Sequence, residues 1–300
     1  MSLFLFETIQ RDSVISFPSL GLTLDPPAFF TVFGFQIYFY GVLIALGFLL
    51  AILYCAHAAP RFGIRADDFY DLMLWLIPLS VVGARLYYVL FRLDYYLANP
   101  GEIIALRDGG LAIYGGVIAG VLAAYFVCRH RKIPAAAMLD LAVLGLLIGQ
   151  ILGRWGNFMN REAFGAETEI FCRMGLTDPG GNTIYVHPTF LYESLWNLAG
   201  FLFLHVWAKR GKRKYDGQGA LLYFFWYGLG RAWIEGLRTD SLYIGGTGIR
   251  VSQALSIALV AVTLTVLLVQ SRRAHPPEAL FVNQVKEKET AKGDREHEQL

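Results

Sequence analysis

Long apolar runs alternate with short polar clusters along this chain. About 20 residues of helix cross the hydrocarbon core of a bilayer. Runs near that length recur at 36–57, 69–91, 111–128, 138–154, 188–208, 218–237 and 250–271, and they predict seven membrane-spanning helices. Small residues step through two of them. Gly145, Gly149 and Gly153 in the fourth, and Gly116 and Gly120 in the third, form ridges that let a neighbouring helix approach closely. Two connecting segments, 92–110 and 155–187, are too long to be simple connectors and are expected to form a rim on the outer face. The first carries a turn at Asn99-Pro100-Gly101 with a short helix expected after it. The second carries Asp178-Pro179-Gly180-Gly181 before a short β-like run. The expected fold is therefore an all-α integral membrane protein of about seven transmembrane helices, with outer-face loop and arm segments. Residues 1–35 form an outer N-terminal segment and 36–271 the membrane domain. Residues 272–300 are polar, charged and aperiodic, which predicts a disordered tail.

Composition sharpens this picture. With 55% apolar and 17% charged residues, the chain is a membrane protein rather than a soluble single-core domain. A formal net charge of +2 gives no case for a nucleic-acid partner. The placement of the charges sets orientation. One side gathers Arg61, Arg65, Arg129, Arg131, Lys132, the 209–214 run KRGKRK, Arg272 and Arg273. The other holds Arg11, Arg92, Arg107, Arg161, Arg173, Arg238 and Arg250, thinly spread. The richer side is cytoplasmic by the positive-inside rule, so the N-terminus is expected outside and the C-terminus inside. The N-terminal segment lacks the basic start and short apolar core of a cleaved signal and is expected to be retained. Cys55, Cys128 and Cys172 have no metal-binding spacing and read as small apolar fillers, so neither metal nor cofactor is expected.

The candidate chemistry lies in charges that are costly where they sit. Arg85, Arg154 and Arg231 fall within or at the edge of predicted spans, where each costs at least ~2.5–3.5 kcal/mol unless partnered. Tyr227, Arg231, Glu235 and Arg238 are spaced by four, four and three, which places them on one helical face with Glu235 a turn from Arg231. Behind the glycine ridge of the fourth run come Arg154, Asn157, Asn160 and Glu162, with Gly156 and Gly165 marking a bend. The fifth run follows His187-Pro188 and carries Glu193, Asn197 and Gly200 on one face. Arg85 shares a face with Asp71, Pro78 and Arg92, a pattern that does not separate a site arginine from the partner of an acid. There is no phosphate-binding glycine loop and no serine elbow. The planar fork of arginine suits phosphate, and a phosphate at membrane depth belongs to a phospholipid. The residues thus predict a site for an anionic lipid headgroup, and leave open whether the lipid is substrate, cargo or stabiliser.

The stretch GRWGNFMNREAFG at 153–165 resembles the signature of the prolipoprotein diacylglyceryl transferases, G-R-x-G-N-F-x-N-x-E-x-x-G, with every fixed position present. YG at 40–41, GARLYYVLF at 83–91, DGGLAIYGG at 108–116, HPTFLYE at 187–193 and RAWIEGLRTD at 231–240 resemble further blocks of that family in the same order, so the resemblance covers about 36–271. It implies transfer of the diacylglyceryl unit of phosphatidylglycerol to the thiol of the lipobox cysteine of a preprolipoprotein, with glycerol phosphate leaving. This is the first step of lipoprotein maturation at the bacterial cell membrane. On that resemblance Arg154 and Arg231 hold the phosphate, and Asn157, Asn160, Glu162 and Gly165 shape the site. Tyr40 and Tyr227 match positions tied to activity, and Glu235 orients Arg231. Arg85, His187 and Glu193 complete the candidate substrate contacts. One position departs from the pattern: Tyr114 stands where some members carry the histidine of an HGG block, so the base for the thiol is open between Tyr114, His187 and a group not identified. The competing reading is a transporter or binder of anionic lipid that uses the same arginines. The apolar inner ends of the spans favour a one-sided chemical site over a pathway.

Overall fold

The computed structural model describes residues 13–106, 109–245 and 247–298. Residues 1–12 of the N-terminal segment, Arg11 among them, and Arg107 and Asp108 lie outside the described residues. Each of the seven apolar runs folds as a helix. Among the described residues the α-helices are, in chain order, α1 (Phe39–Ala58), α2 (Ala66–Leu90), α3 (Leu93–Ala98), α4 (Ile113–Arg131), α5 (Ala135–Met159), α6 (Thr189–Lys209), α7 (Gln218–Ile234), α8 (Val251–Ser271) and α9 (Phe281–Glu298). Among the described residues five of them, α1, α2, α4, α5 and α8, are long and apolar enough to cross a membrane by length and composition. The other two runs fall short for physical reasons. α7 has 17 residues because its end tightens into a 3-10 turn at Glu235–Leu237, and α6 carries buried Glu193, Ser194 and Asn197. The short helix expected after Asn99 is a 3-10 turn, Pro100–Ile104.

The all-α expectation is corrected by two small antiparallel sheets. One has four strands in the order β2-β1-β5-β6, where β1 is Val14–Phe17, β2 Leu22–Leu24, β5 Met174–Thr177 and β6 Thr183–Val186. The other is a hairpin of β3 (Phe29–Val32) and β4 (Phe35–Tyr38). Strands of three or four residues are too short to display a two-residue alternation in sequence, and β1 finds β5 through long-range pairings, Val14 with Thr177, Ile15 with Leu176 and Ser16 with Gly175.

The chain forms two compact units. Of the described residues, the first takes those within 13–51, 143–213 and 218–274, and the second those within 52–142, 214–217 and 275–298. In the first unit the larger sheet has its own core. Ile15, Met174, Leu176 and Val186 pack with Phe158 near the end of α5 and Phe190 at the start of α6. Trp155 stands edge-on to Phe158 and Phe190, and its indole N–H donates to Ser194 Oγ at 3.2 Å. These contacts fix the end of α5 beside the start of α6. α6 and α7 are locked by a second device. Trp196 and Trp226 stack at 4.6 Å, and each indole N–H donates to the backbone carbonyl of the other residue, at 3.0 and 2.9 Å. Gly200 and Gly230 lie under these indoles, where a Cβ would collide with the rings. The glycine ridge of α5 seats α1: Gly47 comes against Gly149, and Ile44 against Gly153.

In the second unit, Gly83 of α2 and Gly115 of α4 bring two backbones together, and Gly116 and Gly120 lie against Ser80. The expectation of disorder over 272–300 is corrected for residues 281–298, which form α9. Its stretch VKEKETAK is rich in residues of high helix propensity. The Asp216 carboxylate accepts the Phe281 N–H at 3.0 Å, and the bare backbone of Gly63 lets Val282 pack against it.

Candidate active site

The polar cluster of the first unit is built around one carboxylate. Glu193 is buried on the first turns of α6. Its Oε2 pairs with Arg154 of α5 at 2.9 Å, and its Oε1 pairs with Arg231 of α7 at 3.3 Å. Arg238, just past the 3-10 turn, reaches the same Oε1 at 3.4 Å. Three guanidinium groups from separate elements therefore converge on one anion. Glu235, 2% exposed, holds Arg231 from the other side at 2.6 Å, one turn along α7 as its spacing predicts. Ser241 donates to the second oxygen of Glu235 at 2.8 Å, and Arg250 donates to its backbone carbonyl at 2.9 Å.

A hydrogen-bonded chain runs from Arg154 into the loop beyond α5. Arg154 donates to Asn157 Oδ1 at 3.0 Å, and Asn157 donates to Glu162 Oε1 at 2.8 Å, which Asn160 also reaches at 3.4 Å. Backbone bonds from Asn160 to Gly156 and from Glu162 to Asn157 carry the last turn of helix into this loop. Tyr40 of α1 lays its ring on Gly156, where a Cβ would come within 2.7 Å of it. Gly165 is required by a tight crossing: a Cβ there would meet His187 at 2.7 Å and the Leu237 carbonyl at 2.8 Å. Its N–H donates to His187 O at 2.9 Å, so the loop, the entry to α6 and the exit from α7 are tied together. Tyr227 stacks on Tyr223 at 5.9 Å on the same helix as Arg231.

The flanking groups have shifted acidities. Burial holds the His187 imidazole below its usual range, and its Nδ1 lies 3.3 Å from the Tyr192 hydroxyl. The Arg238 fork grips Asp240 at 2.8 and 2.6 Å and holds that carboxyl below the usual carboxylate range.

Of the residues expected from sequence, Arg154, Asn157, Asn160, Glu162, Gly165, His187, Glu193, Arg231, Glu235, Tyr40 and Tyr227 belong to this unit. Arg85 and Tyr114 belong to the other. There the Arg85 guanidinium is buried and donates to the backbone carbonyls of Glu102, Ile103, Ala105, Gly109 and Gly110 at 2.6–3.4 Å. It ties 102–105 to Gly109 and Gly110 beside a cavity of about 260 Å³ that Tyr88, Arg92 and Tyr96 also line. Tyr114 is 69% exposed, with its ring 6.5 Å from that of Tyr87. Two contributors were missing from the expected set. The spacing of Arg238 already places it on the face of Arg231, and its contact with Glu193 adds it to the cluster. Arg161 carried no local signal. It is buried with a left-handed backbone, φ +54°, and donates to Ser13 O at 2.6 Å, Asp25 Oδ1 at 2.8 Å and Pro26 O at 2.9 Å.

Helices able to cross a membrane, together with partly buried arginines from separate helices held on a shared buried carboxylate, define a polytopic membrane protein with a charged site among its helices. The profile of the prolipoprotein diacylglyceryl transferase family matches residues 27–269. The chain belongs to that family. It is 43% identical over 266 residues to the phosphatidylglycerol–prolipoprotein diacylglyceryl transferase of Enterococcus faecalis, covering 86% of this chain and 94% of the relative. The proteins of the same name from Finegoldia magna and Lactiplantibacillus plantarum are 45% and 44% identical over 231 and 249 residues. Those matches cover 77% and 81% of this chain, and 90% and 87% of the relatives.

Proposed function

We propose that this chain transfers the diacylglyceryl unit of phosphatidylglycerol to the lipobox cysteine of preprolipoproteins at a bacterial cell membrane. It crosses the bilayer seven times, with its N-terminus outside and its C-terminus in the cytoplasm. The observation that carries the reading is the sharing of Glu193 by Arg154 and Arg231, one on each carboxylate oxygen. A guanidinium has five N–H donors, so two bonds to protein leave each arginine able to take phosphate oxygens as well.

In the reaction, the cysteine sulfur forms a bond to the glyceryl carbon as the bond from that carbon to the phosphate oxygen breaks. Both electrons of the broken bond leave with the phosphate, which departs as glycerol phosphate, and the thiol proton passes to a base. Arg154 and Arg231 stabilise the charge that develops on the phosphate, and donors fixed in advance do this without reorganising. Asn157, Asn160 and Glu162 hold Arg154 in place, while Glu235 holds Arg231. Tyr40 packs on Gly156, two residues beyond Arg154, and Tyr227 lies one turn before Arg231 on α7. His187, whose pKa burial lowers, is one candidate for the base, and Tyr114 is another.

The test uses the purified full chain with phosphatidylglycerol vesicles and a lipobox peptide. The expected product is a peptide heavier by one diacylglyceryl thioether, with one glycerol phosphate released per peptide. Absence of both products overturns the reading.

A further inference from the structure

The hairpin of β3 and β4 exposes apolar side chains on both faces. Phe29, Phe30, Val32, Phe33, Phe35 and Ile37 are all at least 37% exposed, and Phe33 at the tip is 95% exposed. Phe33 and Gly34 both have positive φ, 48° and 83°, which makes the tip a tight hairpin turn. Asparagine or glycine takes that left-handed position with less strain, so the aromatic tip runs against local backbone preference. No charged residue lies between Asp25 and His57.

Such a hairpin suits neither water nor the centre of a bilayer. An uncharged apolar edge in water invites aggregation. In hydrocarbon, the unpaired N–H and C=O groups along the outer edges of a two-stranded sheet would go unsatisfied. The boundary between headgroups and acyl chains meets both needs, because it accepts the side chains and still hydrates the strand edges. The hairpin also runs without a break into α1: Phe39 N–H donates to Ala28 O at 3.0 Å, at the point where strand becomes helix. α1 is one of the helices able to cross a membrane, and it exposes Val42, Leu46, Leu49 and Leu50. Apolar exposure on both faces favours a surrounding lipid layer over a peptide, which would cover one face or one edge.

We infer that the β3–β4 hairpin is an interfacial anchor, with its Phe33 tip seated at the headgroup–acyl boundary of a phospholipid bilayer beside the start of α1. Four-residue strands reach roughly 13 Å, enough to sink a tip the ~5–10 Å typical of interfacial elements. The inference does not depend on the transfer reaction.

The test places a nitroxide at position 33, through Phe33→Cys in a Cys172→Ser background, in the full chain reconstituted into vesicles of phosphatidylglycerol and phosphatidylethanolamine. Cys55 and Cys128 are buried. A second protein carries the label at Asn182→Cys, in the exposed turn between β5 and β6. The expected result is faster relaxation by oxygen than by a water-soluble nickel chelate at 33, with the reverse at 182. A label at 33 as open to nickel as the one at 182 overturns the anchor. A label shielded from both reagents, or one newly shielded when a lipobox peptide is added, assigns the hairpin to a protein partner and overturns it equally.

Discussion

Glu193 is the residue on which the cluster turns. A lone buried carboxylate is costly, and so is a lone arginine at membrane depth. Set against Arg154, Arg231 and Arg238, it removes both costs and leaves an excess of donors facing one place. Arg154 is the member most directly read from the sequence, since an arginine closing a glycine-stepped apolar run needs an anion to hold it there. Arg154→Ala is expected to lower turnover by at least about a hundredfold, in line with losing one donor to a developing anion, while the protein still inserts and purifies. Turnover within a few-fold of the parent would remove Arg154 from the mechanism. The base is testable through pH. A general base works only when deprotonated, so activity climbs as pH rises through its pKa. The lowered pKa of His187 places that climb below pH ~6.5. His187→Gln is expected to abolish the climb, and a profile that keeps it returns the role to Tyr114 or another group. Tyr114 was legible only as a departure from a motif. Its placement in the other unit was not, because nothing in the sequence marks where one packed unit ends.

At the scale of elements, the site is held by devices of unequal visibility. The helices could be read from hydropathy to within a few residues, because a long apolar run has few other uses. The sheet that clamps α5 to α6 could not, because its strands are short and its partners are some 160 residues apart in the chain. Arg161 connects the two. From a strained left-handed position on the site loop it fastens Ser13, Asp25 and Pro26, the chain on either side of β1 and β2. Such strain costs about 1–3 kcal/mol and persists only where the surroundings fix it. Arg161→Ala is expected to make the segment before β3 cleavable by limited proteolysis while α1 onward stays resistant. An unchanged cleavage pattern would show that the sheet holds that segment without the arginine.

For the whole molecule, the sequence showed the family and seven apolar runs that fold as helices, five of them able to cross a membrane by length and composition. It missed the two sheets and α9, whose order depends on docking at Asp216 and Gly63 rather than on any apolar run. Among the polar residues that weaken the hydropathy of α6 is Glu193, the carboxylate that Arg154 and Arg231 share. The central claim is that arginines from separate helices close on one donor phosphate. An experimental structure of the full chain with phosphatidylglycerol bound tests it most directly. The account predicts phosphate oxygens within hydrogen-bond reach, about 3 Å, of both Arg154 and Arg231. A headgroup phosphate bound elsewhere, with Glu193 still occupied by both arginines and neither touching the lipid, would contradict it.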